Sequence, residues 1–198
     1  MNVTVRTPCC IIAALCCIGV ACSSPSPESD TAGASAFVQH FYDWYAPILL
    51  KGGDTVPDLV ALNTHPTWFD SSLAAALRAD NQASAKVPDE VAGLDYDPFT
   101  ASQDPCEKYV VDRAERRDSH VVVALYGVCA GKRDSIPSVS AEVVRRGSEW
   151  VFTNFYFPHS PGSDLASDLK ALAADRARAA TSPDRRVPSK VERPRRKT

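Results

Sequence analysis

The stretch CEKYVVDRAERRDSHVVVALYGVC, residues 106–129, decides how this chain is read. Residues 107–115 (EKYVVDRAE) and 120–128 (HVVVALYGV) are rich in β-branched and aromatic side chains, which pack well on a pleated surface, so each reads as a strand. Between them Arg116-Arg117-Asp118-Ser119 is polar and turn-forming. A hairpin centred between Arg117 and Asp118 sets Cys106 and Cys129 opposite each other at its open end, equidistant from the turn. This predicts a structural disulfide in a compartment that permits one, with a pair of free buried thiols as the alternative. A zinc site is not expected, because two cysteines without neighbouring histidines fall short of tetrahedral ligation.

Two more strands follow, at about 138–146 (SVSAEVVRR) and 149–157 (EWVFTNFYF), joined by a turn at Arg146-Gly147-Ser148. Strict alternation puts Trp150, Phe152, Asn154 and Tyr156 on one face of the last strand, and Val151, Thr153, Phe155 and Phe157 on the other. Both faces are apolar, so this strand is expected to be covered on both sides. A closing helix is predicted over 164–180, capped by Ser163, with Leu165, Leu169 and Leu172 as its buried stripe.

Before the hairpin, residues 35–50 (SAFVQHFYDWYAPILL) carry Phe37, Phe41, Tyr45 and Ile48 at helical spacing. Pro47 should kink or restart that helix. A second helix is predicted over 69–85, capped by Asp70 or Ser71, with Leu73, Ala76 and Leu77 as its stripe. Residues 86–105 read as a loop. Helices, an antiparallel four-stranded meander and a closing helix make an α+β domain over 35–180.

The ends are unlike the body. Residues 1–21 close on a 13-residue apolar run, CCIIAALCCIGVA, which is too short to span a bilayer and suits a secretory leader. Gly19-Val20-Ala21-Cys22 resembles the lipobox of bacterial lipoproteins, with Gly19 where leucine is usual. That resemblance implies acylation of Cys22, with simple secretion as the alternative. Several acyl chains anchor stably where one is marginal. Residues 22–34 then read as a flexible tether. Residues 181–198 hold seven basic and two acidic residues and three prolines, and read as a disordered basic tail. The tail could contact anionic lipid, an anionic glycopolymer or an acidic protein surface, or serve only solubility. Net charge is −2, so residues between leader and tail are acidic, which argues against nucleic acid as a partner.

Three stretches resemble domain-of-unknown-function family 3828: AFVQHFYDWY at 36–45, GLDYDPF at 93–99 with Gln103-Asp104-Pro105-Cys106, and WVFTNFY at 150–156. Members are small bacterial envelope proteins, often lipoproteins, similar to the nuclear-transport-factor-2-like superfamily. The resemblance implies an antiparallel sheet curled around helices into a cone with a pocket. It carries over no catalytic residues, and the superfamily's fold does not choose a function. No Asp directly follows Cys22, so in a diderm bacterium the lipobox-like end resembles that of lipoproteins anchored in the outer membrane and facing the periplasm.

Within that frame Phe41, Trp44, Tyr45, Trp150 and Tyr156 are candidates to line a cone pocket, although an aromatic stripe is more often core. Asp95, Asp97, Gln103 and Asp104 form the densest polar cluster. Asp before Pro is an ordinary turn element, so structural capping is the preferred reading over a Ca²⁺ site, whose loop spacing is absent. His40 and Asp43 share one helical face, either as an acid–base pair or as a solvated surface. No HExxH, GxSxG, P-loop or GxGxxG pattern occurs. No cofactor or metal is therefore expected. The reading is a membrane-tethered, non-enzymatic envelope lipoprotein that binds a protein partner or small ligand. The alternatives are a carrier of a small apolar molecule, an inhibitor or immunity protein against an envelope enzyme, or an uncharacterised hydrolase or isomerase.

Overall fold

The computed structural model describes residues 27–53, 55–86, 93–160 and 162–181. The expected leader, Cys22 and residues 182–198 of the expected tail lie outside them. Among the described residues the fold is α+β, with four α-helices and one antiparallel sheet of five strands. The strands are β1 (Lys108–Arg117), β2 (His120–Cys129), β3 (Lys132–Arg133), β4 (Val139–Arg146) and β5 (Glu149–Tyr156). They pair in the order β1-β2-β4-β5, and β3 adds to β2. The extra strand has two residues, too short for any periodicity to show it.

The hairpin turn lies one residue later than expected. Arg117 pairs with His120, so the turn centres between Asp118 and Ser119, and Asp118 takes φ 52°, the left-handed conformation that suits a two-residue turn. A bulge at Asp112 then shifts the register by one toward the open end. Cys106 and Cys129 still meet, with Cα atoms 4.6 Å apart, and form a disulfide.

A second bulge falls in β5. Val143 pairs with Phe152 but Glu142 with Asn154, leaving Thr153 unpaired in the ladder. Alternation therefore breaks at Thr153. Trp150, Phe152, Phe155 and Phe157 share the inner face, while Val151, Asn154 and Tyr156 take the outer one. This corrects the expected facing of β5, and the physical cause is the inserted residue. Thr153 donates its hydroxyl to Glu142 at 2.7 Å, which gives the bulged residue a side-chain partner.

Helix α1 (Pro27–Leu49) lies on the inner face, which presents Val111, Val121, Val123, Leu125, Val139, Ala141 and Val143 beside the β5 phenylalanines. Phe41 is its centre and contacts the rings of Tyr45, Phe69, Phe99 and Phe152. The helix starts eight residues before the expected 35. Pro27 at the first position, with Asp30 in the first turn, is a favourable helix start. The carboxylate of Asp30 is clamped by Arg116 at 2.5 Å and Arg145 at 3.3 Å, and Ala34 is fully buried. Residues 27–34 are thus helix, not tether. Nor does Pro47 restart the helix. It sits in the last turn, where little remains to interrupt.

Gln39 of α1 closes part of the free edge of β1. Its amide donates to the Tyr109 carbonyl at 3.0 Å and accepts from the Val111 N–H at 2.9 Å, taking the place of a neighbouring strand. Helix α2 (Pro57–Thr64) was not anticipated. A 3-10 turn (Pro66–Trp68) leads from it to α3 (Ser71–Ser84), where Asp70 caps by accepting the Ser72 N–H at 2.9 Å. Helix α4 (Leu165–Thr181) is capped by Asp164, which accepts from Ser167 N, rather than by Ser163, whose hydroxyl donates to Asp168.

Candidate functional site

The five aromatic candidates do not converge on one pocket. Phe41 and Tyr45 are fully buried in the ring cluster. Trp44 sits at the surface edge of α1 with His65 and Trp68. Trp150 lies at the opposite end, where a Cβ on Gly33 would stand 3.1 Å from its indole nitrogen. Tyr156 is on the outer face and donates to Glu142 at 2.5 Å. Rings occupy the interior expected to be hollow. Phe69, Phe99, Phe152 and Phe155 stack or meet at a tilt, at centroid distances of 5.1–5.6 Å.

A cleft of about 500 Å³ opens at the far end of α1 instead. Leu49, Val56, Pro57, Pro98 and Pro105 give it apolar surface. Asp58 enters from the start of α2, Asp80, Asn81 and Ser84 from α3, and Asp95, Asp97 and Gln103 from the loop before β1. Three of the four cluster candidates, Asp95, Asp97 and Gln103, therefore line one cleft, and Asp104 borders a smaller cavity beside the disulfide.

Asp97 organises the cleft floor. Its Oδ1 accepts from the N–H groups of Phe99 (3.1 Å) and Thr100 (3.0 Å) and from the Thr100 hydroxyl (2.9 Å). Its Oδ2 accepts from the Tyr45 hydroxyl at 2.5 Å, joining loop to α1. The Tyr42 hydroxyl donates to the Phe99 carbonyl beside it. These bonds hold a tight turn in which Ala101 takes φ 54°. Burial pushes the Asp97 carboxyl up to about 6, against the donors that favour its charged form. Burial likewise raises Asp58, which accepts from Asn81 at 2.6 Å, and holds the Tyr45 phenol well above its ordinary range.

Asp80 is the second anchor. It accepts from the Leu94 N–H at 3.0 Å and from Arg176 of α4 at 2.6 Å, so one buried carboxylate ties α3, the loop and α4 together. A side chain at Gly93 would collide with it, at 2.6 Å from Oδ2. Sequence reasoning found the loop aspartates because Asp-Pro and Asp-rich turns are local signals. It missed Asp58 and Asp80, which lie singly in helices and become neighbours of the loop only through the fold.

Among the described residues, no group of three or more His, Cys, Asp and Glu side chains is placed to hold a metal ion, and no helix is long and apolar enough to cross a membrane. The His40–Asp43 pair is divided. Asp43 accepts from Gln39 at 2.9 Å, and the His40 ring lies against Trp68. No family model, curated protein or solved structure matches this chain.

Proposed function

We propose that the chain is a lipid-anchored bacterial envelope protein whose folded domain is a non-catalytic binding module, holding its partner or small ligand at the cleft between α2, α3 and the 93–105 loop. The observation that carries the binding site is the cleft itself. It offers apolar proline and leucine surface among carboxylates, and its floor is fixed in place by the Tyr45–Asp97–Thr100 bonds. Pockets with apolar walls and a few held polar groups are the usual form of a ligand site. The leader, Cys22 and a domain closed by a disulfide together support an oxidising, extracytoplasmic location. The bulges at Asp112 and Thr153 support a sheet curled about α1, as the resemblance to domain-of-unknown-function family 3828 and to nuclear-transport-factor-2-like cones implies.

The packed phenylalanines favour the cleft over an interior carrier site for an apolar molecule. Crosslinking and copurification from native membranes tests the reading, with Gln103→Trp filling the cleft rim and Ala173→Trp on the exposed face of α4 as control. A partner or ligand that is lost only with Gln103→Trp is expected. Retention of the same partner in Gln103→Trp would move the binding surface elsewhere, and copurified lipid retained in that variant would favour the carrier. An envelope enzyme inhibited on capture would identify an inhibitor.

A further inference from the structure

We infer that the two hairpin tips, 117–120 and 146–149, form the face that the domain lays against the bilayer, with arginines contacting phospholipid headgroup phosphates. The inference rests on the proposed anchor at Cys22. Four residues, 23–26, join Cys22 to Pro27, and the five steps between them can reach at most about 18 Å. The start of α1 is therefore held close to the membrane by covalent geometry alone. The Asp30 contacts with Arg116 and Arg145 fix that start at the end of the sheet where both tips lie. Gly33 against Trp150 fixes it a second time.

The tips suit the task. Arg117 beside one turn and Arg146 beside the other leave 60% and 56% of their side chains exposed, although each already meets a carboxylate, Glu115 at 3.5 Å and Asp70, so a phosphate has to share the guanidinium with that partner. A guanidinium fork fits a phosphate bidentately. Glu115, Asp118 and Glu149 lie at the same end, so the contact is a short-range pairing of forks with phosphates rather than the pull of a net positive face. The cleft sits at the other end of α1, and 23 helical residues span about 34 Å. The tips thus turn the cleft away from the lipid toward the aqueous compartment.

The test uses the full acylated chain, its acyl mass confirmed, in vesicles of phosphatidylethanolamine and phosphatidylglycerol. A benzophenone amino acid is placed at Ser148 in one sample and at Gln103, on the cleft rim, in another. Lipid adducts are expected at position 148 and severalfold fewer at 103. Arg117→Glu should lower the 148 yield about fivefold, and Arg117→Lys, which keeps the charge but loses the fork, should fall between that variant and wild type. Equal yields at the two positions, or a 148 yield indifferent to Arg117→Glu, would overturn the inference while leaving the anchor intact. A chain recovered from membranes without acyl mass would instead remove the anchor, and this inference with it.

Discussion

At Asp97 local chemistry and tertiary structure meet in one carboxylate. Asp97→Ala should orphan the Phe99 and Thr100 amides and the Tyr45 hydroxyl, at about 1–3 kcal/mol for each buried donor left unpaired. Asp97→Asn keeps an acceptor for the amides and should cost less. Denaturant melts of both variants check this order. The group also sets a pH dependence. Its folded value, about 6, lies above the unfolded value near 3.8, so the folded chain holds the proton more tightly. The resulting stability is present below about pH 4 and is lost as pH rises toward 6, with a ceiling of about 3 kcal/mol. Melts of wild type should weaken over that window, and Asp97→Asn should flatten much of the slope. An unchanged slope in the variant would assign the titration elsewhere, with Asp58, shifted in the same direction, the first alternative. The turn role of Asp97 was legible because its amide partners lie two and three residues on. Tyr45, 52 residues away, was legible only as an aromatic on a helix.

At the scale of elements, periodicity located α3, α4 and the four long strands to within two or three residues, since each carries a stripe or alternation of its own. What it missed has a common cause. A bulge adds one residue without changing composition, so the faces of β5 were assigned correctly only up to Thr153. The first turns of α1 are small and polar, and they fold because Asp30 finds two arginines 86 and 115 residues away. Asp30→Ala should therefore fray residues 27–34 in hydrogen exchange and cost about 1 kcal/mol, modest because both arginines are half exposed. Protection unchanged at residues 30–34 would mean that Ala34 packing alone holds the turn. The disulfide was legible despite a register misplaced by one to two residues, because two cysteines at one open end of a hairpin have few other partners. Cys106→Ala with Cys129→Ala should lower stability by about 3 kcal/mol, the scale expected for closing a loop of this length. A loss below about 1 kcal/mol in denaturant melts would show that the hairpin needs no staple.

For the whole molecule, phenylalanines rather than tryptophans carry the core. Phe41 and Phe152 are fully buried, whereas Trp44 and Trp150 keep part of their surface in solvent. Phe152→Ala should cost about 3–5 kcal/mol and Trp150→Ala clearly less, a reversal of what residue size alone suggests. Equal losses in thermal or denaturant melts would put Trp150 back in the core. The layout also has a direction. One end of the sheet carries the hairpin tips and the start of α1, and the other carries the cleft. An anchor at Cys22 turns that direction into an orientation on a membrane, so the functional reading depends on it more than on any other residue. Cys22→Ser should move the protein from the membrane to the soluble fraction. The most direct measurement is intact and peptide mass analysis of the chain taken from native membranes. The account predicts a mature terminus at Cys22 carrying a diacylglyceryl thioether and an acylated amine. A chain that begins elsewhere, or at Cys22 with a free thiol and no acyl mass, would contradict it.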